Sequence, residues 1–205
     1  MHSVIIASFI GLAAGAFDYS GSATLKDVTE FFSTTNKIIL LARSYTHMIS
    51  GYEPMCIYHH KVVPSENNLP KIVVNQHYMY GDERKQSAFS YPVYYTLSRN
   101  QGMDVAPVMR ATNRSDGNEN RNERTYFFHY YDPVMKCAVI TFADNSRSTK
   151  CELHIWEENY GTLIENCRRE FLYRCPDHQY YFPSEHALCP LSLKRKLETG
   201  YFRRP

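Results

Sequence analysis

Six cysteines run from Cys56 to Cys189 behind an apolar N-terminus, and these two features together constrain the fold more than anything else in the chain. Val4 to Leu12 is an apolar run, and Ala14-Gly15-Ala16 supplies a small-x-small cleavage pattern, so residues 1–16 read as a secretory signal. The run is too short to cross a bilayer and no later stretch approaches the needed length, so no membrane span is expected. A secreted chain meets an oxidising compartment, where an even number of cysteines implies disulfides rather than free thiols. Six cysteines allow fifteen connectivities, and sequence alone does not choose among them. Their spacings of 81, 14, 16, 8 and 14 residues contain no Cys-x-x-Cys pair, so no zinc site is expected.

Two kinds of periodicity follow the signal. Leu25, Val28, Phe31 and Phe32 recur at helical spacing with Asp27 in the first turn, which predicts a short helix over Thr24–Thr34. The stretches 37–45, 55–63, 71–80, 88–98, 103–112, 123–131, 135–143 and 151–156 are rich in Val, Ile, Tyr, Phe and Thr and read as strands. Gly81-Asp82, Asn100-Gln101-Gly102 and Asp132-Pro133 are among the turn signals between them. Eight short strands with no intervening helix predict a sandwich or a barrel, and closure into an eight-stranded antiparallel barrel removes the exposed edges and encloses one small ligand. Leu163, Cys167, Phe171 and Cys175 recur four apart, predicting a second helix pinned to the wall by its cysteines. The expected organisation is a signal at 1–16, one all-β domain with flanking helices at 17–190, and a basic tail at 191–205. That tail carries Lys194, Arg195, Lys196, Arg203 and Arg204.

The last strand carries the most chemistry. Side chains alternate along a strand, so Glu152, His154 and Trp156 share one face while Cys151, Leu153 and Ile155 share the other. A carboxylate, an imidazole and an indole on one face suit the wall of a binding cavity. Aromatic alternation recurs elsewhere: Tyr126, Phe128 and Tyr130 fall on one face of their strand, and Phe89, Tyr91, Val93 and Tyr95 on one face of theirs. Large aromatic walls with polar tips fit an amphiphile as well as an amine. The residues expected to meet a ligand are Glu152, His154, Trp156, Tyr130 and Tyr45.

Several function classes drop out. A net charge of +2 is too small to imply nucleic acid. There is no His-Glu-x-x-His, no Gly-x-Ser-x-Gly and no phosphate-binding glycine loop, so no enzyme, catalytic residue or cofactor is expected. His59 and His60 are adjacent, and adjacent strand residues point to opposite faces, so they do not form a metal site together. Asn113-Arg114-Ser115 is an N-glycosylation sequon within the polar loop from Thr112 to Arg124.

Taken in order, Ile39-Leu40-Leu41-Ala42-Arg43-Ser44-Tyr45, Met55-Cys56-Ile57-Tyr58, Tyr130-Tyr131-Asp132 with Cys137, Cys151-Glu152-Leu153, Cys167-Arg168-Arg169-Glu170-Phe171, and Tyr181 with Cys189 resemble the secreted salivary lipocalins of ticks, the histamine-binding protein family. The resemblance implies the pairings Cys56–Cys189, Cys137–Cys167 and Cys151–Cys175. It also implies a monomer that sequesters a small host mediator, a biogenic amine such as histamine or serotonin, to blunt host inflammation. Amine-binding members carry Cys-Asp-aliphatic and later Glu-Leu-Trp or Glu-Leu-Tyr. This chain keeps Cys137, Val139, Glu152 and Leu153 but has Ala138 in place of the acid and His154 in place of the aromatic. Their first helix often carries an Asp-Ala-Trp-Lys-like run, where this chain has Asp27-Val28-Thr29-Glu30. The departures favour a lipid mediator, such as a leukotriene or a sterol, as the alternative ligand. Some relatives act on complement or immune cells through protein surfaces, for which the polar loop and the basic tail are the candidate contacts.

Overall fold

The computed structural model describes residues 23–62, 71–99, 105–113, 123–144, 147–176, 179–183 and 189. The expected signal and basic tail lie outside the described residues. Helix α1 (Leu25–Phe31) begins where the sequence places it, because Thr24 and Asp27 form a capping box: the Thr24 hydroxyl accepts from the Asp27 amide at 3.2 Å and the Asp27 carboxylate accepts from the Thr24 amide at 2.7 Å. Eight strands follow: β1 (Ile38–Arg43), β2 (Cys56–Lys61), β3 (Lys71–Gly81), β4 (Gln86–Ser98), β5 (Val108–Thr112), β6 (Arg124–Asp132), β7 (Cys137–Ala143) and β8 (Thr149–Trp156). Each pairs antiparallel with the next, and β8 returns to β1, which closes the barrel. Helix α2 (Glu165–Arg174) packs outside against β6, β7 and β8.

Local chemistry sets the turns. Gly81 has a φ of +125°, and a Cβ there would lie 2.1 Å from the Lys85 carbonyl oxygen, so only glycine closes the β3–β4 hairpin. Asp82 then accepts from the amides of Arg84 and Lys85, both at 2.9 Å. β5 starts five residues later than the strand expected from Met103. Pro107 has no N–H to give the ladder and instead offers its carbonyl to the Phe128 amide at 2.9 Å.

Two irregularities redirect side chains. The β6–β7 register shifts between Phe128 and Tyr130, which leaves His129 as an extra residue. Phe128 therefore faces the interior with Tyr131, while Tyr130 joins the cluster outside the barrel under α2. The expected common face of Tyr126, Phe128 and Tyr130 is broken at this point. A second shift between Leu40 and Ala42 returns Arg43 to the interior, opposite Glu152. The helix stripe also needs correcting at its start. Leu163 precedes α2 and is 48 % exposed, and Ile164 takes the buried place beside Cys167 and Phe171.

Hydrophobic packing is thus divided between two cores. The outer one, between the wall and α2, holds Leu153, Ile155, Ile164, Phe171 and all six cysteines. These are joined as Cys56–Cys189, Cys137–Cys167 and Cys151–Cys175, the pairings that the resemblance implies. The first closes a loop of 133 residues, worth roughly 4–5 kcal/mol in the chain-entropy account. The inner core fills one end of the barrel with Val28, Phe31, Phe128, Tyr131, Ala138 and Ile140.

Candidate functional site

Among the described residues, the end of the barrel away from α1 is open. It holds a cavity of about 830 Å³ whose wall includes Arg43, Tyr45, Ile57, Tyr78, Tyr91 and Arg124. One side is flat and aromatic. Tyr78 stacks on Phe89 at 5.1 Å with 6° between the rings, and Phe89 stacks on Tyr91 at 6.0 Å with 16°.

Behind Tyr45 lies a buried polar belt. Glu152 accepts from the Tyr45 hydroxyl at 2.5 Å through one oxygen and from His154 Nε2 at 3.0 Å through the other. Burial pushes the Glu152 carboxyl up, but the hydrogen bond and charge of His154, with the Tyr45 hydroxyl, outweigh it and bring the group down to about 2. The Tyr45 phenol moves well above its ordinary value, first from burial and then from the Glu152 charge, so it stays a donor. His59 faces the same belt, its ring 5.4 Å from that of His154. Burial, and then the neighbouring His154, lower its pKa to about 3. Neither ring nitrogen of His59 has a hydrogen-bond partner among the described residues.

The cavity wall carries two arginines and two carboxylates. Arg43 is fully buried, and its Nη2 meets Glu53 at 3.1 Å, whereas its Nε and Nη1 have no hydrogen-bond partner among the described residues. Its backbone exchanges two hydrogen bonds of 2.9 Å with Tyr181, so the C-terminal segment holds it in place. Arg124 lies 4.3 Å above the Phe142 ring and donates to the Tyr126 hydroxyl at 3.4 Å. The acids of the cavity wall, Glu123 and Asp144, are each beside a cation: Arg110 at 3.8 Å and Lys150 at 3.4 Å.

The five residues expected at the site therefore separate. Tyr45 lines the cavity, and Glu152 and His154 stand directly behind it. Trp156 shares their strand face but lies at the filled end, where its indole N–H donates to the Phe31 carbonyl at 2.9 Å. Tyr130 is outside the barrel under α2. Ala138 is fully buried, pairs with His154 and Tyr131, and belongs to the apolar inner core. Sequence reasoning did not place Arg43, Arg124 or His59 at the site, having weighed His59 only as half of a metal pair with His60. Arg43 did leave a signal, as the cation that ends the apolar run from Ile38 to Ala42. Asn113 is exposed at the cavity mouth.

This arrangement offers enclosure, aromatic surface, phenols and guanidinium groups. A family model described as tick histamine binding protein matches residues 19–187. No curated protein matches the chain.

Proposed function

The chain belongs to the tick histamine-binding protein family, and we propose that it is a secreted, non-enzymatic scavenger that sequesters a small host mediator in its barrel and so blunts host inflammatory defence. The ligand we favour is an amphiphile with an acid group, of the kind a leukotriene represents. One observation carries that choice: both oxygens of Glu152 are already taken, by His154 and Tyr45, while Arg43 keeps two buried donors without hydrogen-bond partners among the described residues. The imidazole N–H stands where an ammonium would need to donate. Ala138, opposite His154, leaves the acid's position without a carboxylate. A charge-assisted hydrogen bond is worth roughly 1.5–3 kcal/mol, or about ten- to a hundredfold in affinity. In this reading Tyr45 contacts the ligand, Glu152 and His154 hold Tyr45 in place, and Trp156 and Tyr130 act only through packing. A glycan on Asn113 would stand at the entrance.

An amine remains the second reading, and Glu152 favours it. An ionised carboxylate close to the phenols of Tyr45 and Tyr126 is what a protonated amine seeks on leaving water. Isothermal titration with arachidonic acid, histamine and serotonin separates the two. Heat with the fatty acid and little with the amines is the expected result. Tight amine binding with no response to the acid reverses the order, and no heat with any of them overturns the scavenger reading.

A further inference from the structure

We infer that the barrel cavity is half of a two-part site, whose other half is a side chamber for a phosphate-type headgroup. The inference rests on the reading of the barrel as an amphiphile site and specifies the ligand further. The chamber has a volume of about 470 Å³ and shares Tyr45, His47, Arg124 and Asp144 with the barrel cavity, so the two spaces meet across one wall. Its own residues include Ser44, Thr46, Lys150 and Gln179. Arg124 and Lys150 bring two positive charges against the single negative charge of Asp144. Asp144 is already engaged, by Lys150 at 3.4 Å and the Ser148 amide at 3.2 Å. Ser44 is engaged too, accepting from the Cys151 amide at 2.8 Å. Thr46 and Gln179 are exposed polar side chains on the same chamber.

A chain carboxylate has one charge and finds Arg43 inside the barrel, which leaves the side chamber unused. A phosphomonoester has three acceptor oxygens and a charge near −1.5 to −2, which suits two flanking cations and neutral donors. An ammonium headgroup would meet the surplus of positive charge. The ligand class is thus a single-chain phosphorylated amphiphile, with its chain along the aromatic wall and its phosphate beside Lys150.

Titrations with 1-oleoyl lysophosphatidic acid, oleic acid and inorganic phosphate test this. The lysophosphatidate should bind about tenfold or more tightly than oleate. Lys150→Gln combined with Asp144→Asn, which removes the chamber's lysine without leaving its partner carboxylate bare on the shared wall, should abolish that advantage while leaving oleate within about twofold. Thr46→Glu, which places an anion in the chamber at an exposed position, should do the same. Equal affinity for the two lipids in the unmodified protein, or equal weakening of both by the variants, overturns the two-part site. Failure of both lipids to bind removes the amphiphile reading itself, whereas oleate binding without a phosphate advantage leaves that reading standing and removes only this one.

Discussion

The two ends of the barrel interior are built from the same strands and the same alternation, yet they solve opposite problems. At the closed end Phe31 is fully buried, with the rings of Phe128, Tyr131 and Trp156 at 5.7, 5.6 and 6.5 Å. Here helix α1 inserts its own side chains into the barrel and leaves no room for a ligand. At the open end Arg43, Tyr45 and Arg124 line a cavity that neither described helix enters. The contrast separates packing from cavity along one tube: apolar side chains fill one end, and under the proposed reading the other end receives the ligand. The belt of Glu152, His154 and His59 lies between them.

The sharpest way to break this division is to empty the closed end. Phe31→Ala removes a fully buried ring and should cost about 3–5 kcal/mol, read as a lower denaturant midpoint. If the ends are independent, oleate affinity under native conditions stays within about twofold. A loss of affinity in step with stability would show that the plug also shapes the cavity.

The belt responds to pH. His59 titrates near 3 in the fold and near 6.5 when unfolded, so between those values the unfolded chain holds the extra proton. Stability therefore rises with pH across that window and falls by about 2 kcal/mol on going from pH 7 to pH 5. Glu152, lowered from 4.5 to about 2, adds a loss of the same sign at more acidic pH, as the native carboxylate is protonated last. Replacing His59 by leucine should flatten the upper window. Stability at pH 7 should hold or rise, because two buried nitrogens without partners disappear. Urea titrations of both proteins at pH 7 and pH 5 measure this. An undiminished pH slope in His59→Leu would place its source outside the belt.

How much of this was legible follows from what sequence patterns encode. Alternation and turn residues are local, so all eight strands, the Gly81 turn and the start of the first helix could be read directly. The disulfide pairing came from resemblance, since spacing alone left fifteen choices. The site was legible only in part, because period-two reading assumes an unbroken register. One extra residue at His129 moves Tyr130 out of the barrel, and the shift after Leu40 brings Arg43 in. Depth along the barrel axis is equally invisible. Trp156 and Glu152 share a strand face, but only the stagger of the strands and the insertion of Phe31 put the indole at the filled end.

The smallest expected effect tests whether the open end is truly left unfilled. His47 lines both the cavity and the side chamber, is exposed, and contacts Tyr78 only ring to ring at 6.1 Å. Partial burial, followed by the charges of Arg43 and Arg124, lowers its pKa, so near neutral pH it offers a ligand a hydrogen bond without a charge. His47→Gln keeps a donor of similar reach and removes a ring that holds little together. Unfolding free energy at pH 7 should change by no more than about 0.5 kcal/mol, the usual range for a surface substitution. Lipid affinity should show no new dependence on pH between 6 and 8. A stability loss above about 1 kcal/mol would mean that the mouth is packed like the closed end, and that its cations hold the barrel together instead of waiting for an anion.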